Sequence, residues 1–473
     1  MATKLNKFFL LFLIIVLTLT TFIPVAIAEV DSEAQRLDNV RQLIDSYYVD
    51  PVSEDILSLP TVEEMLSQLD RYSEYMERAD YESFINSISP QFSGIGVQVE
   101  AVEEGLLIMT VFDDGGAREA GIQTGDIIIE ADGVSLVGMP LDFAVSHVRG
   151  ENGSEVELLI YRPNSEENLS FSVTRRPISV PIVTHTTLGG NVGYVALHSF
   201  GSHTAAEMTT AIESLGDVDH YIFDLRNNAG GYLNAARDVV GFFEGVDRAL
   251  RVQQRNINNL IYSANKQDVT FTQPVSLLVN NFSASASEIV AAALKDYDAA
   301  KTYGQLTFGK GTVQSLLLVN PAHPTSSDIL KLTTGRLFSP EGKAIQDVGV
   351  TPTIKTEVGK ELIRAHDDFL QQRFSAYRSF ESLGEVPTDK TFTVTFSAPV
   401  NWDTANEGAF ELIELGGESH PFTFEAVADD QLKIIPDQPL NSDGEFLLYV
   451  HPGIESASGQ VLEEGYSVAL TVE

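Results

Sequence analysis

Alternation of apolar strands with helical segments over residues 192–354 constrains the fold of this chain most. Each predicted strand is a short apolar run, and each is followed by a turn and then by a segment with helical periodicity. This order is typical of an α/β domain whose active site lies where the strands end. The predicted strands cover residues 192–197, 220–225 and 275–279, and the predicted helices cover residues 204–215, 233–243 and 285–296.

The N-terminus carries a pattern typical of export signals. Lys4 and Lys7 precede an apolar run over residues 8–27, and Ala28 ends the Ala-Ile-Ala triplet that a signal peptidase accepts. We expect residues 1–28 to be a removable signal peptide and the mature protein to be secreted to an extracytoplasmic location. The alternative is a retained anchor, because the apolar run is nearly long enough to span a bilayer.

Composition excludes several kinds of chemistry. The 473 residues include no cysteine and carry a formal net charge of −37. The absence of cysteine excludes disulfides, a catalytic thiol and thiolate metal ligands. The strong negative charge disfavours binding to nucleic acid and to anionic lipid, so we expect no nucleic-acid partner.

Residues 29–88 are predicted to form a helical region. Apolar residues recur at helical spacing over residues 37–48 and 62–69, and Pro51 and Pro60 interrupt the segment. Short helices of this kind cannot bury their own apolar stripe. They must pack on the rest of the chain or on a partner subunit, and a homodimer is one arrangement that satisfies this need.

Residues 89–177 combine alternating strands with frequent glycine turns. Residues 117–128 read Ala-Arg-Glu-Ala-Gly-Ile-Gln-Thr-Gly-Asp-Ile-Ile, and Asp132-Gly133 follows them. This string resembles a PDZ domain of the bacterial, circularly permuted kind, which has an α+β fold. The other interpretation is a small β-rich domain with ordinary glycine turns.

The resemblance implies a groove for a peptide C-terminus. The backbone N–H groups of a Gly-x-Gly loop can hold the terminal carboxylate, and the following strand offers a free edge for one more strand. A predicted helix at residues 140–148 would form the other wall, and Arg149 follows it. We expect Arg149 to be a surface or capping residue, with a regulatory link to the protease core as the second interpretation. The residues expected to bind the peptide are Gly94, Ile95, Gly96 and Val97.

Residues 384–473 are predicted to form a small all-β sandwich. Short strands alternate with turn residues there, and no cluster of side chains suggests chemistry. The string Thr-Phe-Thr-Val-Thr-Phe-Ser-Ala-Pro-Val-Asn at residues 391–401 resembles bacterial Ig-like modules. The predicted strands cover residues 391–396, 409–415, 431–435, 446–451 and 468–473.

Three serines alternate with alanines at the start of the predicted helix 285–296. A helix N-terminus favours a developing negative charge, so a serine here has a stabiliser for an oxyanion. None of the nine histidines follows within this motif, so a base must come from elsewhere. From the residues alone, Ser283, Ser285 and Ser287 all stay open as the nucleophile.

Lys310 is the candidate base, and it stands between two glycines in Thr-Phe-Gly-Lys-Gly-Thr-Val-Gln. A free lysine titrates near 10.4 and is a poor base at neutral pH. Burial against Phe308 and Val313 would lower its pKa, and the neutral amine could then accept the serine proton. Gln314 is close enough in sequence to orient the amine by a hydrogen bond.

Four strings together resemble the C-terminal processing peptidases, the tail-specific proteases of peptidase family S41. The strings are FSASASEIVAAALKDY, TFGKGTVQ, DLRNNAGGYL and LKLTTGRLFSPEGKAIQDVGVTP, and the resemblance covers residues 29–356. It implies that Ser285 is the nucleophile, Lys310 the base and Gln314 the third member of the catalytic set. Ala229 departs from the pattern, because many relatives carry glycine or proline there.

The resemblance also implies an oxyanion hole beside the nucleophile. In the family, an Asn-Asn-x-Gly-Gly turn lies there, so we expect the backbone N–H groups of Gly230, Gly231 and Ala286 to form it. The other interpretation is a plain turn whose glycines only allow positive φ. Glu288 and Asp296 are expected to be structural hydrogen-bonding residues.

The predicted protein is a multidomain α/β serine endopeptidase whose protease core spans residues 178–383. It would bind apolar C-termini of protein substrates through its PDZ domain and cleave them without a metal ion or a cofactor, in association with the cell envelope. The second hypothesis is a non-cleaving PDZ adaptor that binds C-termini of envelope proteins. A lysine-based β-lactam hydrolase is excluded by motif, because Ser285 and Lys310 lack Ser-x-x-Lys spacing.

Overall fold

A computed structural model describes six stretches of the chain, and the expectations for residues 1–28 fall outside them. Among the helices of the described part, none has the length and hydropathy needed to cross a bilayer. The described stretches are residues 33–88, 91–112, 115–139, 141–163, 168–179 and 182–473.

The N-terminal helical segment packs on the α/β core of the same chain. Helix α1 buries Val40 and Ile44 against Leu330 and Leu332, which belong to the long core strand Ile329–Phe338. The same core strand pairs antiparallel with the strand Glu74–Met76 of this segment. The segment therefore extends the core sheet as well as covering it. Its elements are α1 (Glu33–Tyr47), α2 (Glu54–Leu57), α3 (Val62–Ser67), β1 (Glu74–Met76) and α4 (Arg78–Ile88).

The second unit has a five-stranded antiparallel sheet in the order β3-β4-β5-β7-β8, with the short strand β6 on β5. Among the described residues, strand β3 pairs only with β4, so its other edge is open toward helix α6. Strands β2 and β9 pair with each other where the chain enters and leaves the unit. The elements are β2 (Gln91–Gly94), β3 (Val97–Val102), β4 (Gly105–Val111), α5 (Gly116–Ala120), β5 (Ile127–Ala131), β6 (Val134–Ser135), α6 (Leu141–Val148), β7 (Glu155–Tyr161), β8 (Leu169–Thr174) and β9 (Arg176–Ser179).

The α/β core contains a six-stranded sheet in the order β10-β11-β12-β15-β16-β19, parallel except for the β10–β11 pair. A second sheet has the order β1-β18-β13-β14, and β17 also pairs with β18. Helices α7, α8 and α9 bury their apolar residues in one cluster with both sheets. The elements are β10 (Val183–Leu188), β11 (Val192–Leu197), α7 (Thr204–Leu215), β12 (His220–Asp224), α8 (Leu233–Val240), β13 (Arg248–Gln254), β14 (Ile257–Ser263), β15 (Val275–Val279), α9 (Ala286–Asp296), β16 (Lys301–Gly304), β17 (Thr312–Leu318), β18 (Ile329–Phe338), β19 (Ile354–Lys355) and α10 (Glu361–Arg373).

The C-terminal region is β-rich, as expected, and forms two sheets over one apolar core. One sheet has the order β20-β27-β26-β23, with β21 on β27, and the other has the order β22-β25-β24. Strand β24 was not predicted from the sequence. The elements are β20 (Arg378–Ser379), β21 (Glu385–Val386), β22 (Phe392–Thr395), β23 (Phe410–Glu414), β24 (Phe422–Ala428), β25 (Gln431–Pro436), β26 (Glu445–Val450) and β27 (Tyr466–Val472), with 3₁₀ turns at Trp402–Thr404 and Glu407–Ala409.

The β-rich region docks on helix α10 through a small apolar cluster. Leu370 of α10 packs with Ile413 and Tyr449 of the region, and all three side chains are buried. His366, also buried, bonds through Nε2 to the Gly189 carbonyl at 2.8 Å and accepts the Gly416 N–H at Nδ1. Burial lowers the pKa of His366, so the neutral ring that this pairing requires is favoured.

Replacing Leu370 with Ala should loosen this docking. Removal of a buried leucine side chain leaves a cavity, and we expect the free energy of unfolding of the C-terminal region to fall by about 2–4 kcal/mol. Trp402, the single tryptophan of the chain, lies in this region and reports its unfolding by fluorescence in urea. Leu383→Ala is the matched control, because Leu383 is 47% exposed. Equal midpoints for the two variants would contradict the docking role.

Candidate active site

The candidate site lies where the parallel strands β12 and β15 end. The loop after β12 and the turn after β15 are tied together by side chains: Asn227 Oδ1 accepts from Asn280 Nδ2 at 2.8 Å, and Asn280 Oδ1 accepts from the Asn227 N–H at 3.0 Å. Ser283 Oγ donates to the Leu225 carbonyl at 2.8 Å. These bonds hold the glycine loop against the start of helix α9.

Ser285 occupies the sharp turn before helix α9. Its φ of +56° and ψ of −110° are unusual for a residue other than glycine, and such strained turns occur at functional sites. The neighbouring serines have structural partners, since Ser283 donates to the Leu225 carbonyl and Ser287 to the Asn228 carbonyl, each at 2.8 Å. In the described part of the chain, the Ser285 hydroxyl donates to no acceptor. This difference favours Ser285 among the three serines left open by the sequence.

Glu288 links the Ser285 turn to the Lys310 loop. Its side chain is completely buried, and one carboxylate oxygen accepts the N–H groups of Ser285 at 2.9 Å and Lys310 at 2.8 Å. The other oxygen accepts from Thr307 Oγ1 at 2.5 Å and from the Gly309 N–H at 2.7 Å. One anion therefore sets the separation of the two candidate catalytic residues. The Ser-x-x-Glu spacing of a capping box was the available sequence signal for the first of these bonds.

Lys310 is half-buried, and burial lowers the pKa of its amine. The charge of Lys331 lowers this pKa further, whereas Glu288 acts in the opposite direction. Phe308, one of the two side chains expected to bury the amine, is itself 54% exposed. The amine lies 5.2 Å from the ring centre of Tyr72, which belongs to the N-terminal segment.

Gln314 lies next to the site but is directed elsewhere. Its amide nitrogen donates to Thr312 Oγ1 at 2.9 Å and to Thr333 Oγ1 at 3.2 Å, because the register of β17 on β18 places Gln314 opposite Thr333. Within the described residues, no hydrogen bond joins the Lys310 amine to Gln314 or to Ser285. Glu288 joins the backbone at Ser285 and Lys310, and Thr333 joins Gln314 to Asp70, but among the described residues the three side chains are not linked to one another.

The expected oxyanion donors differ in availability. The Gly230 N–H donates to Asn228 Oδ1 at 2.9 Å and is therefore occupied. Among the described residues, the N–H groups of Gly231 and Ala286 have no protein acceptor. A Cβ at Gly230 would lie 2.9 Å from the Ala286 nitrogen, and the φ of Gly230 is +103°, so only glycine fits this approach to the Ser285 turn.

A buried ion cluster holds the start of the glycine loop. Arg226 donates to Asp224 at 2.6 Å and to Glu361 at 2.9 Å, and the Tyr194 hydroxyl donates to Asp224 at 2.7 Å. Sequence reasoning missed this cluster, since Glu361 is distant in the chain. Within the described residues, no group of three acidic or histidine side chains could hold a metal ion.

A groove of about 950 Å³ lies between the open edge of β3 and helix α6. All four residues expected to contact a peptide line it, and so does Arg149 at the end of α6. Leu141 and Val145 of α6 give the groove an apolar wall. Thr184 and His198 of the α/β core line its far side, so the groove faces the core. The four expected residues are Gly94, Ile95, Gly96 and Val97.

Comparison with known proteins identifies the families of the α/β core and of the unit that contains the groove. Residues 191–356 match the model of peptidase family S41, and residues 83–161 match that of the PDZ domain. The chain is 33% identical over 350 residues to the carboxy-terminal processing protease CtpB of Bacillus subtilis (strain 168), covering 71% of each chain. It is 34% identical over 334 residues to CtpA of the same organism, covering 69% of this chain and 70% of that one.

Among solved structures, the photosystem II D1 C-terminal processing protease is 26% identical, and the match covers 69% of this chain and 94% of that one with a TM-score of 0.45. The sequence matches define a serine peptidase that carries a PDZ domain. The chain belongs to peptidase family S41, in the group of the carboxy-terminal processing proteases.

Proposed function

We propose that this protease is an exported endopeptidase that captures apolar C-termini of proteins in its PDZ groove and cleaves with Ser285 as nucleophile and Lys310 as general base. The observation that carries the proposal is the shared carboxylate of Glu288, which holds the backbone N–H groups of Ser285 and Lys310 on one oxygen. The lowered pKa of Lys310 also supports it, because only a neutral amine can accept a proton.

In the proposed reaction, neutral Lys310 Nζ accepts the hydroxyl proton while Ser285 Oγ bonds to the scissile carbonyl carbon. The Gly231 and Ala286 N–H groups donate to the resulting oxyanion. The Lys310 ammonium then gives its proton to the amine nitrogen as the C–N bond breaks. Water then attacks the acyl carbon while neutral Lys310 accepts its proton, and the ammonium gives that proton to Ser285 Oγ as the acyl C–Oγ bond breaks and the product acid leaves. Gln314 would orient the amine after its amide turns from the threonines.

Peptide capture would proceed by addition of a strand to the open edge of β3. The terminal carboxylate of the peptide would accept hydrogen bonds from backbone N–H groups around Gly94, Ile95 and Gly96. The apolar side chains of the peptide would lie against Val145 on helix α6. The apolar lining of the groove supports a preference for peptides with apolar C-terminal residues. Its orientation toward the α/β core supports the delivery of the captured chain to Ser285.

Cleavage of a matched peptide pair tests the proposal against the adaptor hypothesis. A peptide that ends in apolar residues should be cut about tenfold or more faster than the same peptide with two terminal aspartates, as followed by mass spectrometry of fragments. Val145→Asp should abolish this preference, because it places a charge in the groove. Val137→Asp is the control outside the groove and should preserve it. Tight binding of the apolar peptide without fragments would support the adaptor instead.

The export pattern of residues 1–28 supports a secreted, extracytoplasmic protease, and N-terminal sequencing of the mature protein should begin at Glu29. Two sheets over one apolar core support an Ig-like sandwich for residues 384–473, which would attach the enzyme to the cell envelope or to a partner protein. We also propose that the enzyme forms a homodimer through the N-terminal segment.

A further inference from the structure

Residues 70–73 of the N-terminal segment form a turn over the Lys310 amine. Asp70 shapes this turn, because Oδ1 accepts the N–H groups of Tyr72 at 2.7 Å and Ser73 at 3.1 Å. The Tyr72 ring faces the Lys310 amine at 5.2 Å, within the range of cation–π attraction. We call residues 70–73 the Tyr72 turn.

The Tyr72 turn is fixed to the core strand β18 next to Gln314. Thr333 Oγ1 donates to Asp70 at 3.1 Å, and the Thr333 N–H donates to Ser73 Oγ at 3.1 Å. The same Thr333 hydroxyl accepts from the Gln314 amide at 3.2 Å. The side chain expected to orient Lys310 is therefore held by a residue that also anchors the turn.

The Tyr72 turn also reaches the loop beside Gly309. Arg71 Nη2 donates to the Tyr72 hydroxyl at 2.7 Å and lies 3.9 Å from the carboxylate of Asp347. The Asp347 N–H donates to the Gly309 carbonyl at 2.8 Å, one residue before Lys310. These outer contacts add to the backbone bonds to Asp70, which hold the turn itself and do not depend on the Tyr72 hydroxyl.

The charges around Lys310 oppose one another. Burial disfavours the ammonium form of Lys310 most, the charge of Lys331 on β18 disfavours it further, and the charge of Glu288 on α9 favours it. Lys331 is itself paired with Glu74 at 2.6 Å, and Arg71 and Asp347 lie at the exposed rim. The face of an aromatic ring attracts a cation and does not attract a neutral amine. Contact with Tyr72 therefore stabilises the protonated lysine, which cannot act as a base.

We propose that Tyr72 is a positioning residue that holds the Lys310 ammonium away from Ser285 and Gln314 and so keeps the protease in a resting state. Activation then requires the amine to leave the ring and the Gln314 amide to leave Thr333. This inference rests on the proposed role of Lys310 as the base. It adds that the N-terminal segment, through the Tyr72 turn, sets the protonation of that base.

The pH dependence of kcat/KM for a fluorogenic peptide with an apolar C-terminus tests this inference in the full-length enzyme. In Tyr72→Leu, loss of the ring should lower the midpoint of the rising limb by about 0.5–1 pH unit, which corresponds to a cation–π contribution of ordinary size. Below that midpoint the rate should rise about threefold to tenfold. Tyr72→Phe keeps the ring face and should keep the midpoint of the parent enzyme.

Tyr81→Leu provides the matched control, since its ring lies in the same segment and faces the guanidinium of Arg78 at 5.3 Å. If Tyr72→Leu does not fold, as judged by thermal denaturation, Tyr72→Met gives the same comparison with a flexible apolar side chain. An unchanged midpoint in the Leu or Met variant, or an equal shift in Tyr72→Phe, would overturn the inference. Lys310→Ala separates the two proposals: if it retains turnover, the proposed base is wrong, and if it is inactive while Tyr72 variants keep the parent midpoint, only the Tyr72 inference fails.

Discussion

Replacing Ser285 with Ala should lower kcat/KM for peptide cleavage by about 10⁴-fold or more while the protein stays folded. The alanine removes Oγ of the proposed nucleophile, and loss of a catalytic serine has an effect of this size in other serine proteases. Steady-state cleavage of the apolar-ended peptide measures the loss. A serine-directed fluorophosphonate should label the parent enzyme once, at Ser285, and should not label the variant.

Ser283→Ala and Ser287→Ala are the matched controls, because they remove the same hydroxyl from the same motif. Ser287→Ala loses one hydrogen bond, to the Asn228 carbonyl, so we expect a stability loss of about 1 kcal/mol. Ser283→Ala loses the bond to the Leu225 carbonyl and also the Asn280 N–H that its Oγ accepts at 2.9 Å, so we expect a loss of about 2 kcal/mol. Their kcat/KM should fall far less than that of Ser285→Ala. If kcat/KM fell more in Ser283→Ala or Ser287→Ala than in Ser285→Ala, that other serine would be the nucleophile.

The sequence predicted the elements that local patterns determine. The helix Thr204–Leu215 and the buried strand Val275–Val279 begin and end where the periodicity indicated. A buried strand is continuously apolar, and an amphipathic helix has apolar residues at helical spacing, so each can be recognised within a short stretch of sequence. Strand Phe422–Ala428 was missed because most of its residues are exposed and its apolar alternation breaks after Phe424.

The site contacts could not be predicted in the same way, because they join distant parts of the chain. Glu288 was correctly expected to be a hydrogen-bonding residue, but its bonds to Gly309 and Lys310 depend on how the loop before β17 returns to α9. Tyr72 reaches Lys310 only because strand β1 pairs with β18 and brings the N-terminal segment over the core. No residue spacing in the sequence indicates that β1 pairs with β18.

Replacing Glu288 with Gln should damage both stability and catalysis. The amide keeps one acceptor oxygen but places an NH₂ group against two of the four donors that now point at the carboxylate. We expect the free energy of unfolding to fall by about 2–4 kcal/mol, since buried donors lose a charged acceptor. We also expect kcat/KM to fall by about 10²–10³-fold, because the Ser285 turn and the Lys310 loop lose their common anchor.

Asp296→Asn distinguishes this positioning role from stability alone. Asp296 lies at the other end of the same helix, where it accepts from Lys343 at 2.8 Å and from the Glu341 N–H at 2.8 Å, away from Ser285. Its loss should cost about 1–2 kcal/mol of unfolding free energy and leave kcat/KM within about threefold of the parent value. Urea unfolding and peptide cleavage, measured at a temperature where both variants are fully folded, give the two quantities. If Glu288→Gln lost stability and kept full activity, the carboxylate would be a structural anchor that catalysis does not need.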